Sequence, residues 1–284
     1  MRASRLISGA VTVMVAASLF AGANAVAAPA TDAGSSLSFP KPPHRIEVIK
    51  SGVVPRESVP GSIRPVGIFL RVRANRPGTA SVRIRQRGSK RTVRDLGRIR
   101  VTTRPKWRRV NWDGRTARGR LAPAGRYVVV VDPAGRGPDR RTASFRLHGH
   151  VHPIAGPHGT RGGVGEFGAG RNGGRVHEGF DATARCGTPL VAVRSGRILK
   201  VANDPALKGY YVVLKGEAER RTYLYAHLRR PAAVRKGQRV RAGRRLGAVG
   251  QTGNAASTPC HLHFEIRTRG RLLDPWPILN SWEW

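Results

Sequence analysis

Hydrophobic and polar residues alternate with a period of two along much of the chain after residue 45. The segment 68–73 reads Ile-Phe-Leu-Arg-Val-Arg, the segment 82–85 reads Val-Arg-Ile-Arg, and the segment 145–147 reads Phe-Arg-Leu. Successive side chains of a β-strand point to opposite faces of a sheet, so these segments bury one face and expose arginines on the other. Helical periodicity is absent, and Pro-Gly and Gly-Ser turns separate the runs. The pattern predicts half-buried antiparallel strands that form a β-sandwich over residues 45–148.

A second β-rich region is predicted from residue 187 onward, where short β-branched and aromatic runs alternate with glycine-containing turns. The predicted strands are Leu190–Val193, Arg197–Val201, Tyr210–Leu214, Thr222–Leu228, Arg239–Arg241, Arg245–Val249 and His261–Arg267. Residues 151–175, between the two regions, are rich in glycine, which is typical of a loop beside a site or of a connection between domains. We therefore expect an all-β protein with a first domain at 45–148 and a second, mostly antiparallel domain at 149–284.

The first 44 residues follow neither pattern. Arg2 and Arg5 precede an apolar run, and small residues that suit a signal peptidase follow before residue 28. This layout predicts a secretory signal peptide over residues 1–27, because the run is too short and interrupted for a membrane anchor. Residues 28–44 are rich in alanine, proline and serine, which predicts a linker. We expect a secreted, extracytoplasmic protein that has no membrane span.

The chain is strongly basic. Its 284 residues include 52 Lys and Arg against 16 Asp and Glu, which gives a formal net charge of +36. Residues 45–148 hold 27 basic and 6 acidic side chains, and residues 149–284 hold 22 and 9. Such a charge attracts polyanions, and for an exported protein we expect a non-specific attraction to an anionic cell-wall surface and no nucleic-acid partner. Arginine outnumbers lysine 44 to 8, so GC-rich codon bias is a second explanation. The sequence has no signal for an oligomeric state.

The chain contains two cysteines, Cys186 and Cys260. In an oxidising compartment a lone pair of cysteines favours a disulfide over free thiols. Two buried thiols and a cysteine that ligates a metal are the alternatives.

Nine histidines are present. Five of them fall in predicted loops or in the linker, where we expect solvated side chains: His44, His148, His150, His152 and His158. The remaining four occur in short motifs that combine them with other polar or aromatic residues.

Three motifs contain these four histidines. His261 and His263 lie two residues apart in a predicted strand, so they share one face, with apolar neighbours behind them. His177 and Asp181 form an H-x-x-x-D motif; imidazole and carboxylate both ligate zinc, and the surrounding glycines favour an extended or looped segment. His227 ends an aromatic-rich strand in the motif Y-A-H-L.

The order H-x-x-x-D, Y-A-H-L and H-L-H-F-E resembles the lysostaphin-type (LytM-like) zinc metallopeptidases, which cut peptidoglycan peptides. The resemblance runs from about residue 152 to residue 278 and includes Cys-Gly-Thr-Pro at 186–189, Ser-Gly-Arg-Ile at 195–198 and Gly-x-x-Val-x-x-Gly at 237–243. It implies a metallopeptidase domain of the duplicated hybrid motif type, one Zn²⁺ per chain, and peptidoglycan peptides as the partner.

The same resemblance implies a role for each motif residue. The zinc ligands would be His177, Asp181 and His263, and the catalytic residues His227 and His261. Three protein ligands leave one position for a water molecule, whose pKa zinc lowers to about 7. One histidine would accept the proton and the other would stabilise the oxyanion or protonate the leaving amine. A disulfide between Cys186 and Cys260 would brace the site.

A second resemblance concerns residues 45–148. Asn111-Trp112-Asp113-Gly114 and, further on, Gly125-Arg126-Tyr127 are similar to the Ig-like module of flagellar hook-capping proteins. This similarity implies an Ig-like β-sandwich, a fold that hosts many roles.

The sequence departs from the metallopeptidase pattern at residues 208–212, where Lys-Gly-Tyr-Tyr-Val lacks the asparagine that usually precedes the valines. No predicted metal or catalytic position is substituted. The Gly-x-x-Val-x-x-Gly hairpin also resembles biotinyl and lipoyl carrier domains, but the modifiable lysine that those need is absent. We expect a secreted zinc endopeptidase acting on peptidoglycan, with a non-catalytic or autoinhibited wall-binding or regulatory protein of the same fold as the alternative.

Overall fold

The computed structural model describes residues 45–133 and 140–282, which form eighteen strands, three short 3₁₀ turns and one α-helix of five residues. The predicted signal peptide and linker lie outside these residues. Within the described ranges, no helix has the length and apolar character that crossing a membrane requires.

The first half of the described chain contains eight strands in two sheets. The strands are β1 Ile46–Val54, β2 Glu57–Ser58, β3 Val66–Ala74, β4 Gly78–Gln86, β5 Thr92–Val101, β6 Lys106–Trp112, β7 Gly125–Pro133 and β8 Arg140–Leu147. One sheet has the order β1-β3-β6 and the other the order β2-β8-β7-β4-β5. Neighbouring strands are antiparallel except for β2 and β8. The predicted two-sheet, antiparallel architecture is therefore present.

The alternating pattern buries one face of each sheet in a shared apolar core. Ile68, Leu70 and Val72 of β3 are almost fully buried, whereas Arg71 and Arg73, which point to the other face, are exposed. The ring centroids of Trp112 and Tyr127 lie 5.5 Å apart in this core. Both buried aromatics keep a hydrogen bond: the indole N–H donates to the Arg115 carbonyl at 2.8 Å, and the phenol donates to the Pro123 carbonyl at 2.6 Å. The similarity of this sandwich to Ig-like modules stays a prediction.

The second half contains ten strands and the helix. They are β9 Gly159–Thr160, β10 Phe180–Thr183, β11 Pro189–Val191, β12 Gly196–Asp204, β13 Gly209–Gly216, β14 Arg221–Leu228, β15 Arg239–Val240, β16 Arg245–Ala248, β17 His261–Thr268, β18 Arg271–Leu273 and α1 Trp276–Asn280. The main sheet has the order β15-β12-β13-β14-β17-β10-β9, with β18 paired to β17, and β11 pairs with β16. All seven predicted strands are present, with ends shifted by at most a few residues. The short α1 is the one α-helix of the described residues, and the sequence pattern did not predict it.

This second half has an apolar core of its own, which includes the buried aromatic rings of Tyr223, Tyr225 and Phe264. The expectation that His150 is solvated was wrong. The residue is 8% exposed, and its imidazole stacks on Trp282 with centroids 4.3 Å apart and lies 3.0 Å from a carboxylate oxygen of Glu219. A position in a predicted loop does not determine whether a side chain is exposed. His150 is buried because the C-terminal residues fold back over it.

The two halves touch through a small polar contact. The Arg115 guanidinium donates to both carboxylate oxygens of Glu217, at 2.9 and 3.1 Å. The Ser195 hydroxyl donates to the Gly61 carbonyl at 2.9 Å, and the backbone N–H of Ile63 donates to the Ala242 carbonyl. The contact therefore joins two loops of the sandwich, β2–β3 and β6–β7, to residues next to strand ends of the second half.

Candidate metal and catalytic site

Strand pairing brings most of the predicted site residues to one face of the main sheet. In the register of β10, β17 and β14, Asp181 and Ala226 both stand opposite His263, and Thr183 stands opposite His261. Residues directly opposite each other on antiparallel strands share a face, so Asp181, His261 and His263 lie together. The intervening residues of β17 point into the core.

His227 reaches this face through a β-bulge. Tyr225 pairs with Val212 and Leu228 pairs with Tyr210, so Ala226 and His227 together oppose the single residue Tyr211. Strict alternation would place His227 on the core face with Tyr225. Instead its φ is +59°, a left-handed conformation that is strained for a residue with a side chain. The extra residue and the unusual φ turn the imidazole toward the other site histidines.

Three ligand atoms from three different residues converge at the centre of the site. Asp181 Oδ1 lies 3.0 Å from His177 Nε2 and 3.0 Å from His263 Nδ1, and the two ring nitrogens are 2.8 Å apart. Among the described residues this is the one cluster of three or more His, Cys, Asp or Glu side chains whose geometry suits a metal ion. His177 lies in a loop and Asp181 in β10, in agreement with the predicted extended or looped H-x-x-x-D segment.

Neighbouring acceptors orient both imidazoles of the cluster. His177 Nδ1–H donates to the Glu166 carbonyl at 2.8 Å, which directs the Nε2 lone pair inward. His263 Nε2 lies 3.4 Å from Glu265 Oε1, so a proton there directs Nδ1 inward. Arg267 donates to the other oxygen of Glu265 at 2.9 and 3.1 Å and holds that carboxylate. Two nitrogen lone pairs and one carboxylate oxygen then face one point, where a positive charge is required. This donor set fits a divalent cation such as zinc.

The pKa shifts follow from burial and from these contacts. Burial raises the pKa of the Asp181 carboxyl, but hydrogen bonds to His177 and His263 lower it by more, so the pKa lies below its usual value. Burial lowers the pKa of His263, and the carboxylates of Asp181 and Glu265 raise it above its usual value. Burial raises the pKa of Glu265, and contacts with His263 and Arg267 bring it below its usual value. The cluster therefore keeps two ionised carboxylates that favour a cation.

His227 and His261 form a second pair beside the cluster, with ring centroids 4.9 Å apart. His227 Nδ1–H donates to the Thr252 carbonyl, and His261 Nδ1–H donates to the Pro259 carbonyl, each at 2.8 Å. Both Nε2 atoms are thereby left as proton acceptors. Burial, together with the neighbouring His263 and His261, lowers the pKa of His227 to about 4. Burial likewise lowers the pKa of His261, so both rings are neutral at neutral pH.

All five residues line one cavity of about 720 Å³. One wall comes from the glycine-rich segment and the residue after it, Val176; the apolar side chains of Val164 and Val176 are 62% and 59% exposed there. Basic side chains of Arg161, Arg175 and Lys208 also line the cavity. The cavity therefore combines an apolar wall with converging polar groups, which is the usual make-up of a substrate site.

Cys186 and Cys260 form a disulfide, with their Cα atoms 5.3 Å apart. Cys260 directly precedes β17, and Cys186 follows β10 by three residues. The bridge thus ties together the chain segments that bear Asp181 and His261, and it leaves no free thiol among the described residues.

Two side chains of the site were not predicted to act there. Arg161 Nη1 lies 3.3 Å from Asp181 Oδ2, and this contact leaves Oδ1 for the two imidazoles. Glu265, to which the motif assigned no role, orients His263. Glu265 lies two residues after His263 and therefore shares its face of β17. No local signal indicated Arg161, because its partner Asp181 lies twenty residues further along the chain.

Comparison with known proteins places this site in a family. The sequence profile of Peptidase family M23 matches residues 175–275. Peptidoglycan DD-endopeptidase ShyA of Vibrio cholerae is 37% identical over 97 residues, which are 34% of this chain and 21% of ShyA. Murein hydrolase activator NlpD of Escherichia coli is 33% identical over 112 residues, which are 38% of this chain and 27% of NlpD.

Among solved structures, the catalytic domain of the antimicrobial peptidase lysostaphin from Staphylococcus simulans is 31% identical. The match covers 44% of this chain and 92% of that chain, with a TM-score of 0.37. The chain spans only about a fifth to two fifths of the length of the first curated relatives it matches. The matched residues hold His177, Asp181, His227, His261 and His263. The chain therefore carries a domain of Peptidase family M23 over residues 175–275.

Proposed function

We propose that this protein is a zinc-dependent endopeptidase that hydrolyses peptide bonds in the stem peptides or cross-bridges of peptidoglycan. The observation that carries the proposal is the convergence of His177, Asp181 and His263 on one point of a cavity that two further neutral histidines also line. The domain family and the similarity to a peptidoglycan DD-endopeptidase support this substrate class. A cell-wall substrate agrees with an extracytoplasmic location.

His177 Nε2, Asp181 Oδ1 and His263 Nδ1 would hold one zinc ion. When bound, zinc would supply Lewis acidity that polarises a peptide carbonyl and lowers the pKa of a water molecule. Glu166 and Glu265 keep the two imidazoles oriented, and Arg161 keeps the second oxygen of Asp181 occupied. These contacts preorganise the three donor atoms and reduce the free-energy cost of ordering them when zinc binds.

His227 and His261 would carry the proton transfers. Because each Nδ1–H is engaged by a backbone carbonyl, each Nε2 can accept a proton from the attacking water. The ring that has become protonated can then donate that proton to the leaving amine, which returns both rings to the neutral state. The depressed pKa values favour rapid release of the proton after each turnover.

A non-catalytic, regulatory role is the second candidate, because the relatives include a murein hydrolase activator. The presence of both the metal-ligating set and two proton acceptors favours an enzyme. A regulator needs the fold and a binding surface but no proton acceptors.

Zinc content and product analysis test the proposal. Purified protein should contain about one zinc per chain and release peptide-bearing fragments from isolated peptidoglycan, detected by mass spectrometry. His263→Ala should lose both zinc and cleavage. His227→Ala and His261→Ala should keep zinc and lose about 10²- to 10⁴-fold in rate.

His158→Ala, which changes a histidine of the same domain outside the cluster, is the matched control and should behave as the unchanged protein. Undiminished cleavage by the His263→Ala protein would contradict the ligand assignment. Stoichiometric zinc without cleavage of any cross-link type, combined with stimulation of a separate hydrolase, would favour the regulatory role.

A further inference from the structure

The outer face of the β1-β3-β6 sheet carries a group of aromatic and basic side chains remote in sequence from the metal cluster. In the register of this sheet, Lys50, Arg71 and Trp107 stand side by side across the three strands, and Phe69 stands opposite Arg109 in the next row. We call these five residues the arginine–tryptophan face. Neighbouring strands lie about 4.8 Å apart and alternate residues about 7 Å apart, so the five side chains form one continuous patch.

Trp107 is 51% exposed, although it lies in a strand whose last residue, Trp112, is completely buried. Register explains the difference: Trp112 points into the core and Trp107 points outward. A large aromatic ring left half exposed forgoes part of its burial energy, so about half of the Trp107 surface is available to a ligand.

The neighbours of Trp107 are partly fixed in place. The Arg109 guanidinium lies 5.4 Å from the Phe69 ring centroid, and its Nε donates to Asn111 Oδ1 at 3.2 Å. In the row beyond, Arg73 pairs with Glu47. Among the described residues, neither Lys50 nor Arg71 forms an ion pair with a carboxylate. The face therefore presents a preoriented guanidinium and two cations available to an external anion.

This arrangement favours a particular ligand chemistry. The C–H face of a sugar ring is apolar and packs flat against an indole, and guanidinium groups bind carboxylate or phosphate oxygens through paired donors. Aromatic rings and arginines, spaced a few ångströms apart on one face of a sheet, can contact a sugar ring and its acidic substituents at once. Tryptophan and arginine are also the residues that dominate binding energy at protein surfaces.

We infer that the arginine–tryptophan face binds an anionic polysaccharide, with Trp107 stacked on a sugar ring and with Arg71, Arg109 and Lys50 contacting its acidic groups. An anionic partner follows from charge complementarity. The face and the row beyond it hold four cations, Lys50, Arg71, Arg73 and Arg109, and the single acid Glu47. The choice of a cell-wall glycan as its source rests on the proposed function.

The contact between the two halves gives this binding a consequence for the M23 domain. Because Arg115–Glu217 and Ser195–Gly61 join the sandwich to that domain, a glycan on the sandwich would hold the cavity near the wall. Once the sandwich is bound, the encounter between the cavity and the wall becomes intramolecular. The effective concentration of the wall at the cavity is then raised.

The test measures binding of the full-length protein to polygalacturonate, a linear polymer of acidic sugars, by fluorescence anisotropy of a labelled oligomer. EDTA is present throughout, so metal-dependent cleavage does not contribute and the outcome is separate from that of the peptidase assay. Arg71→Gln and Trp107→Ala should each weaken binding about tenfold. Trp107→Phe should retain most of the affinity, and thermal unfolding verifies that each variant is folded.

Arg126→Gln is the matched control, because Arg126 is exposed on β7 of the opposite sheet and the substitution removes the same charge. It should change affinity by less than about twofold. An equal loss in the Arg126→Gln protein would overturn the inference in favour of bulk charge. Equal binding of neutral dextran would overturn the role of the acidic groups. Equally tight binding of a single-stranded oligonucleotide, with the same sensitivity to Trp107, would overturn the choice of polysaccharide.

Discussion

At the residue scale, the histidines of the site differ in which ring nitrogen is engaged. His177, His227 and His261 each donate from Nδ1 to a backbone carbonyl, whereas His263 is held from Nε2 by the Glu265 carboxylate. A carbonyl fixes the orientation of a ring, but a carboxylate also raises its basicity. Glu265 is therefore the partner through which a single substitution should tune the His177–Asp181–His263 cluster without removing one of the three proposed ligands.

Glu265→Gln should weaken zinc binding about ten- to a hundredfold while leaving the fold intact. The amide is similar in size but carries no charge, so it orients His263 less firmly and no longer enhances its donor strength. Competition with a chromophoric chelator measures the zinc affinity.

Glu178→Gln is the control for this change. Glu178 accepts from the same Arg267 guanidinium at 2.8 Å, is 47% exposed and makes no hydrogen bond with His263. Its zinc affinity should match that of the unchanged protein. If both variants lose affinity equally, the effect belongs to Arg267 and not to the Glu265–His263 contact.

At the element scale, two backbone features bring the strands into register for the site. The bulge at residues 226–227 moves His227 from the core face to the cavity, and Gly179 lets the loop before β10 approach β17. A Cβ atom on Gly179 would lie 2.6 Å from the Phe264 carbonyl oxygen and 2.8 Å from the His263 ring. Backbone atoms of a central strand cannot yield cheaply, so this position requires glycine.

Gly179→Ala should therefore lower the free energy of unfolding by about 1–3 kcal/mol and weaken zinc binding, because β17 and His263 must shift. Urea unfolding with and without zinc measures both effects, since a ligand that binds only the native state stabilises it.

The matched control is Gly170→Ala in the same glycine-rich segment. A Cβ atom there meets nothing within 4 Å, and the backbone φ is not in the left-handed region. The change should be neutral, or should stabilise the protein by up to about 1 kcal/mol. A Gly179→Ala protein with unaltered zinc affinity would show that the close approach does not position His263.

At the scale of the whole molecule, two separate apolar cores meet through a polar contact. The hydrogen bond with Arg115 is the main cause that brings the pKa of the Glu217 carboxyl below its usual range, and burial opposes it. A carboxyl whose pKa is lower in the folded state stabilises that state above its unfolded pKa, near 4.3. This contribution is lost as the pH falls through the folded-state pKa.

Glu217→Gln should accordingly destabilise the protein by about 1 kcal/mol or less at pH 7, and the difference from the unchanged protein should shrink below about pH 4. Thermal unfolding at several pH values measures the difference. Glu47→Gln, which removes the exposed partner of Arg73, is the control and should cause a smaller change. A difference that persists unchanged at low pH would show that the Glu217 charge does not stabilise the contact.

Local patterns in the sequence determined the strands and the identity of the candidate site residues. The period of two depends only on each strand having one buried face, so the segment 68–73 was predicted correctly. The seven strands predicted after residue 187 followed from β-branched and aromatic runs between glycine-containing turns. Motif order and spacing singled out the five residues that the fold brings to one cavity, and their catalytic and ligand roles stay predictions. The residues of a short motif can be identified from the sequence because the positions that define the motif lie close together in the chain.

Only the tertiary structure decided features that depend on contacts between distant segments. The bulge that redirects His227 follows from the pairing of β14 with β13, the burial of His150 from the return of the C-terminus, and the contact of Arg161 with Asp181 from the path of a glycine-rich loop. The same holds for the face around Trp107, which three strands assemble through their register. Register and packing depend on the total free energy of the folded chain, so no short segment of the sequence determines them by itself.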